Sequence, residues 1–141
     1  FKDARQRNIN KNLKIQLELP DKKLFIYGDK RRLDQVIANL LSNAMLYTDH
    51  GYIKIKVQRR DNELVFSIID TGTGLPRKAL GRIFERFYRT DKTRDRRKGE
   101  TGLGMAISKH IIEAHSSHIY VDSLEGNGST FSFGITTISP E

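Results

Sequence analysis

Strand-like segments that come in closely spaced pairs, separated by helical stripes, constrain this chain more than any other feature. Tyr52-Ile53-Lys54-Ile55-Lys56-Val57 and Leu64-Val65-Phe66-Ser67-Ile68-Ile69 are rich in β-branched and aromatic residues, and Arg59-Arg60-Asp61-Asn62-Glu63 supplies the turn between them. Ser117-His118-Ile119-Tyr120-Val121-Asp122 and Thr130-Phe131-Ser132-Phe133-Gly134-Ile135 alternate with period two around the glycine turn Leu124-Glu125-Gly126-Asn127-Gly128-Ser129. Lys14-Ile15-Gln16-Leu17-Glu18-Leu19 alternates as well, and Pro20-Asp21 turns it. Leu24-Phe25-Ile26-Tyr27, closed by Gly28, is a short strand that reads as its hairpin partner. Alternation leaves one sheet face apolar, and that face needs a cover.

Three helical stretches supply it. Asp29 reads as the N-cap of a long helix to about Thr48, whose core stripe is Leu33, Val36, Ile37, Leu40, Leu41 and Ala44. Pro76 to Phe84 contains a short helix, and Gly102 to Ala114 forms another with an apolar pattern at Leu103, Ile107, Ile111 and Ile112. The order strand, strand, helix, strand, strand, helix, charged loop, helix, strand, strand predicts an α+β fold. It is a two-layer sandwich with three helices on one face of a mixed, mainly antiparallel sheet of about five strands.

A chain of 141 residues suffices for one domain. Residues 1–12 are polar and basic and read as the end of an upstream element plus a linker, 13–138 as the domain, and 139–141 as a tail. Starting at Phe1, the sequence reads as a piece of something longer; it shows no secretory leader and no apolar run of membrane-spanning length, while a parent chain has room for an anchor. The absence of cysteine excludes disulfide scaffolds, cysteine-ligated zinc and thiol nucleophiles. The formal charge of +8 is spread along the chain, which favours a solvated basic surface with a site for a small polyanion over a nucleic-acid partner.

Five stretches carry candidate chemistry, each with a plainer reading beside it. Gly99-Glu100-Thr101-Gly102-Leu103-Gly104-Met105-Ala106-Ile107 crowds glycines before a helix, where unpaired N–H groups and the helix dipole form a main-chain phosphate site; a plain loop has the same composition. Gln35, Asn39, Asn43 and Leu46 form a second stripe on the long helix, beside the apolar one. The asparagine pair is either chance surface or a carboxamide set for a metal–phosphate group, since Mg²⁺ takes neutral oxygen ligands alongside phosphates. Asp70-Thr71-Gly72-Thr73-Gly74-Leu75-Pro76 follows a strand directly and reads equally as a pocket floor or an Asp-capped turn. Between Thr90 and Glu100, Lys92, Arg94, Arg96, Arg97 and Lys98 make a charged loop that is either a lid over phosphates or solvated chain. The aromatics of Phe84-Glu85-Arg86-Phe87-Tyr88-Arg89 either pack a core edge or anchor a moving segment.

In order, these stretches resemble the ATP-binding catalytic domain of two-component sensor histidine kinases, within the superfamily of gyrase-type, heat-shock chaperone and mismatch-repair ATPases. Asn39-Leu40-Leu41-Ser42-Asn43-Ala44 with Tyr47-Thr48 resembles the asparagine box, Asp70 to Gly74 the first glycine box, and Phe84 to Arg89 the phenylalanine box. Gly102 to Ile107 resembles the second glycine box and Gly126 to Phe131 a terminal one. The resemblance implies a Bergerat-type fold with a flexible ATP lid, and ATP and Mg²⁺ as cofactors. It implies that Asp70 accepts the adenine amino group, Tyr47 packs on the base, and Gly72 and Gly74 lie against the nucleotide. Asn39 would bind Mg²⁺, and Asn43 would contact phosphate or metal-bound water. Gly102, Leu103 and Gly104 would offer main chain to the phosphates, Arg89 would meet the γ-phosphate, and Ser129 would support the adenine contact.

The resemblance further implies transfer of the γ-phosphoryl group to a histidine on an upstream dimerisation and phosphoacceptor domain, in a cytoplasmic portion of a homodimeric kinase that serves a response regulator; the fragment itself is expected to be a soluble monomer. None of His50, His110, His115 and His118 sits in the surroundings of the family's acceptor helix. Hydrolases of the superfamily carry glutamate one turn before the first asparagine, whereas Gln35 cannot take a proton from water. Two departures stand out: Leu46 occupies a position where lysine is common, and Glu100 interrupts the paired glycines of the second glycine box.

Overall fold

A computed structural model of the chain describes residues 12–86, 88 and 104–138. In chain order the elements are strands β1 (Asn12–Glu18) and β2 (Phe25–Ile26), helix α1 (Lys30–Tyr47), strands β3 (His50–Arg60) and β4 (Glu63–Asp70), helices α2 (Arg77–Leu80) and α3 (Gly104–Ala114), and strands β5 (Tyr120–Ser123) and β6 (Ser129–Ile138). They build the expected α+β architecture with a six-stranded sheet ordered β1-β3-β4-β6-β2, β5 also pairing with β6. β1 runs parallel to β3 and every other pair is antiparallel.

The expected hairpin of the first two strands does not form. β1 pairs with β3 at one edge and β2 with the end of β6 at the other. Alternation settles which face of a strand is apolar but not its neighbour. Here the register sets Ile15 opposite Ile53 and Leu17 opposite Ile55, joining β1 to the main apolar ladder. A parallel pair needs a crossover, and α1 is part of it. Four ladder steps separate the edges, about 19 Å at ~4.8 Å each; the residues between Glu18 and Phe25 cover that distance when extended, at ~3.4 Å per residue.

Helix α1 starts where its cap dictates, with Asp29 extended (φ −90°) and its carboxylate accepting the Arg32 N–H at 3.2 Å. Val36, Leu40 and Ala44 are fully buried against Ile53, Ile68, Phe131 and Phe133, and Ala79 of α2 and Ile111 and Ile112 of α3 join the same core. Leu46 belongs to that core too, at 7% exposure, so this leucine faces inward and departs from the stripe on which sequence spacing set it. Ile107 is the converse. At 37% exposure it lies off the core side of α3, which is carried by Ser108, Ile111 and Ile112.

α1 and α3 are antiparallel and tied at two levels. His115, just past α3, has Nδ1 2.8 Å from the Ile111 carbonyl, which only an N–H can satisfy, so Nε2 carries the lone pair that accepts the Asp29 N–H at 3.1 Å. Nearer the other end, Asn39 reaches Gly104 and Ser108.

Candidate functional site

A row of residues crosses one end of the sheet on its helix-facing side: Ile15, Ile53, Asp70, Ser129 and Ser123 are successive register partners. The next row inward, Leu17, Ile55, Ile68, Phe131 and Val121, is wholly apolar. Asp70 (4% exposed) and Ser129 (6%) are therefore a polar lip on the core. A carboxylate in that position needs donors. The Gly72 N–H provides one at 2.9 Å, fixing one carboxylate oxygen and the plane of the group. Thr71 is held separately by β3, its N–H on the Tyr52 carbonyl at 3.1 Å and its Oγ1 accepting the Tyr52 N–H at 3.0 Å.

The Asp70 loop is fastened to α1. The Thr73 N–H donates to the Tyr47 carbonyl at 3.0 Å, and Gly72 passes so close to that carbonyl that a Cβ would collide with it. Tyr47 itself is buried at 4% exposure. Gly74, also buried, packs its backbone on Leu124 of the β5–β6 connection, and the Gly126 N–H returns to the Thr73 carbonyl at 2.6 Å. Asp70 is thus both a pocket-floor candidate and the cap of a tight turn, the two readings its sequence left open.

Ser129 faces Asp70 across the ladder, and its hydroxyl meets Ser123 Oγ at 2.8 Å. Ser123 accepts the Leu75 N–H (2.8 Å) and donates to the Gly128 carbonyl (3.1 Å), so Ser129 is the donor of the serine pair. Gly128 escaped the sequence reading as a site residue. Its φ is +88°, and a Cβ would strike the Asp70 carbonyl. We expect Gly128→Ala to destabilise the domain by about 2–4 kcal/mol, from left-handed strain and local overpacking. Urea unfolding checks this; an unmoved midpoint would show that the hairpin end does not press on Asp70.

Two turns before Tyr47, about 12 Å along α1, Asn39 marks the other end. Asn39, Asn43 and Tyr47 recur every four residues, and both asparagines are half-buried. The Asn39 Nδ2 group donates to the Gly104 carbonyl at 3.1 Å and to Ser108 Oγ at 3.0 Å. A carbonyl only accepts, so this contact fixes which side of the carboxamide is nitrogen. Its Oδ1 has no hydrogen bond among the described residues. Gly104 is exposed, and a Cβ there would meet Asn39 at an ordinary 3.7 Å, so Asn39 does not require glycine at that position.

A Mg²⁺ ion bound with a triphosphate takes most of its ligands from phosphate and water and only one or two from protein. Asn39 Oδ1 suits that pattern. Among the described residues no group of three His, Cys, Asp or Glu side chains forms a metal cage. Arg89, Gly102, Leu103 and the charged loop lie outside the described residues. Of the phenylalanine box, Phe84 sets its ring edge on Phe131 (centroids 6.4 Å), which makes it a core anchor. Tyr88 lies under the Arg82 guanidinium at 4.7 Å, and Glu85, 3.3 Å from Arg82 Nε, raises the pKa of that guanidinium. Gln35 is exposed on α1, one turn before Asn39.

The chain has similar proteins among known sequences and structures. Over 118 residues the chain is 42% identical to the sensor histidine kinase WalK of Bacillus subtilis, covering 82% of this chain and 19% of that protein. The fold matches the catalytic domain of histidine kinase ThkA with a TM-score of 0.79 and 26% identity, over 96% of this chain and 88% of that one. It also matches full-length ShkA, in complex with AMPPNP, with a TM-score of 0.80 and 26% identity, over 99% of this chain and 30% of that one. The chain spans about a fifth of the length of the curated relatives it matches. The family model of the histidine kinase-, DNA gyrase B-, and HSP90-like ATPases matches residues 28–137, from just before the cap of α1 to near the end of β6, and the chain belongs to that family.

Proposed function

We propose that this domain binds ATP with Mg²⁺ and delivers the γ-phosphoryl group to a histidine on a separate domain of its parent, as the catalytic part of a sensor histidine kinase. The observation that carries the reading is the path from Asp70 through Gly72 and Thr73 by hydrogen bonds to Tyr47, along α1 to Asn39, and by a hydrogen bond on to Gly104. It supports reading the Asp70 carboxylate and the Asn39 carboxamide as the two ends of an elongated nucleotide site, since about two turns of α1 separate Tyr47, which holds the Asp70 loop, from Asn39. The similarity to WalK and to AMPPNP-bound ShkA supports it.

In this reading Asp70 accepts the adenine amino group, with Ser129 beside it, and guanine is disfavoured because its carbonyl would face the carboxylate. Tyr47 backs the base from the core side, and Gly72 and Gly74 keep the loop low enough for the ring. Asn39 holds Mg²⁺ through Oδ1, and Asn43 lies one turn away toward phosphate or metal-bound water. Gly102, Leu103 and Gly104 offer main-chain N–H groups to the phosphates, and Arg89 meets the γ-phosphate. Mg²⁺, when bound, neutralises charge on the transferring group. The protein's share is positioning. Gln35 cannot deprotonate water, which favours transfer to an imidazole over hydrolysis.

The implied partners are the parent's dimerisation and phosphoacceptor domain and a response regulator, in a homodimeric parent whose catalytic part is cytoplasmic. Among the described residues no helix is long and apolar enough to cross a membrane. The test mixes this chain with a separately made histidine-bearing acceptor domain from a similar kinase and γ-labelled ATP. Label on the acceptor histidine, acid-labile and dependent on Mg²⁺, is the expected result. Release of inorganic phosphate without acceptor labelling would assign the domain to the hydrolases instead.

A further inference from the structure

A serine on the inner face of α3 is a buried polar group that the proposed function leaves unused. Ser108 is fully buried (0% exposed) among Ile111, Ile112 and the α1 core, where alanine would satisfy both packing and helix propensity. A buried hydroxyl in that position is costly without a partner. It meets Asn39, whose Nδ2 donates to Ser108 Oγ at 3.0 Å while its second N–H goes to the Gly104 carbonyl.

We infer that Ser108 is a positioning residue for the metal-bearing carboxamide, an inference that rests on the reading of Asn39 as the Mg²⁺ ligand. The two bonds divide the task. The Gly104 carbonyl excludes the flipped amide, because Oδ1 against a carbonyl oxygen is repulsive. One hydrogen bond still lets the plane swing about χ2, and terminal amide torsions have broad wells. The second acceptor, four residues on along α3 and so on the same helix face, stops that swing. With both N–H groups engaged on α3, Oδ1 is held on the opposite side of the amide before any ligand arrives. Ser108 touches neither phosphate nor metal in this scheme; it spares Asn39 the ordering that metal capture would otherwise require.

The experiment compares the intact chain with Ser108→Ala, Ser108→Cys and Asn39→Ala. ADP affinity is measured in EDTA, and the gain in ATP affinity on adding Mg²⁺ is measured separately, both by calorimetry. The exchange rate of the Asn39 side-chain NH₂ protons is followed by NMR without nucleotide. The loss of one hydrogen bond predicts that Ser108→Ala leaves metal-free ADP affinity within about twofold and cuts the Mg²⁺-dependent gain about three- to tenfold, with faster exchange of the Asn39 amide. Ser108→Cys fills the same volume with a weak acceptor and is expected to behave alike, which preserves the test if the alanine variant folds poorly. A Mg²⁺-dependent gain unchanged in both serine variants but lost in Asn39→Ala overturns the positioning role alone. A gain unchanged in all three overturns the metal reading of Asn39 and this inference with it.

Discussion

Asp70→Asn lowers ATP affinity by about 10- to 100-fold and leaves the fold in place. The reason lies in how the carboxylate is used. One oxygen accepts the Gly72 N–H at 2.9 Å, and an asparagine oxygen can keep that bond, so the turn survives. The variant then presents an NH₂ group where the adenine amino group requires an acceptor. Losing a hydrogen bond to a charged group costs about 1.5–3 kcal/mol, and each ~1.4 kcal/mol is a decade in affinity. Calorimetry with ATP and with GTP reads both parts of the prediction, since discrimination between the two bases should shrink as well. An ATP affinity equal to that of the parent chain would mean that Asp70 is only a turn cap.

Asn39→Asp separates metal handling from base recognition. Aspartate offers Mg²⁺ an oxygen, but it has no N–H for the Gly104 carbonyl or for Ser108 Oγ, the two acceptors that orient the native amide. Its second oxygen is pushed off the Gly104 carbonyl and the ligand geometry is lost. Asn39→Ala removes the oxygen altogether. For both variants we expect phosphoryl transfer to a supplied acceptor domain to fall at least about 100-fold, the scale on which preorganised electrostatic groups act. Metal-free ADP binding should stay within about threefold, because the base lies about two helical turns away. Normal labelling of the acceptor by either variant would remove Asn39 from the chemistry.

Much of this molecule can be read without coordinates, because local rules and tertiary structure agree over long stretches. Asp29 caps α1 as an isolated N-cap would, and the hairpins β3–β4 and β5–β6 follow from alternation interrupted by turn residues. The candidate site residues were legible for a different reason. Asparagine is a mediocre helix former, so the pair on the flank of α1 stood out as a candidate, whereas Gly72 and Gly74 have a packing reason as well, in their close approach to the Tyr47 and Leu124 carbonyls.

What sequence could not settle was every feature that depends on which surfaces meet. The edge partners of β1 and β2 are long-range choices, and a strand's own pattern does not name them. Spacing along α1 set Leu46 beside Asn39 and Asn43, but the contour of the core took it inward. Ser108 left a trace in the sequence, a polar residue three and four places before Ile111 and Ile112, yet only the antiparallel packing of α1 on α3 shows that Asn39 is its hydrogen-bond donor. The close pass of Gly128 over the Asp70 carbonyl is likewise a property of two strands in register. Sequence alone determined which residues are candidates for chemistry here, through local patterns set by covalent geometry and side-chain polarity. Tertiary structure decided which of them are held, and by what, because the hydrogen bonds that orient Asp70 and Asn39 come from separate elements brought together by burial of a common core.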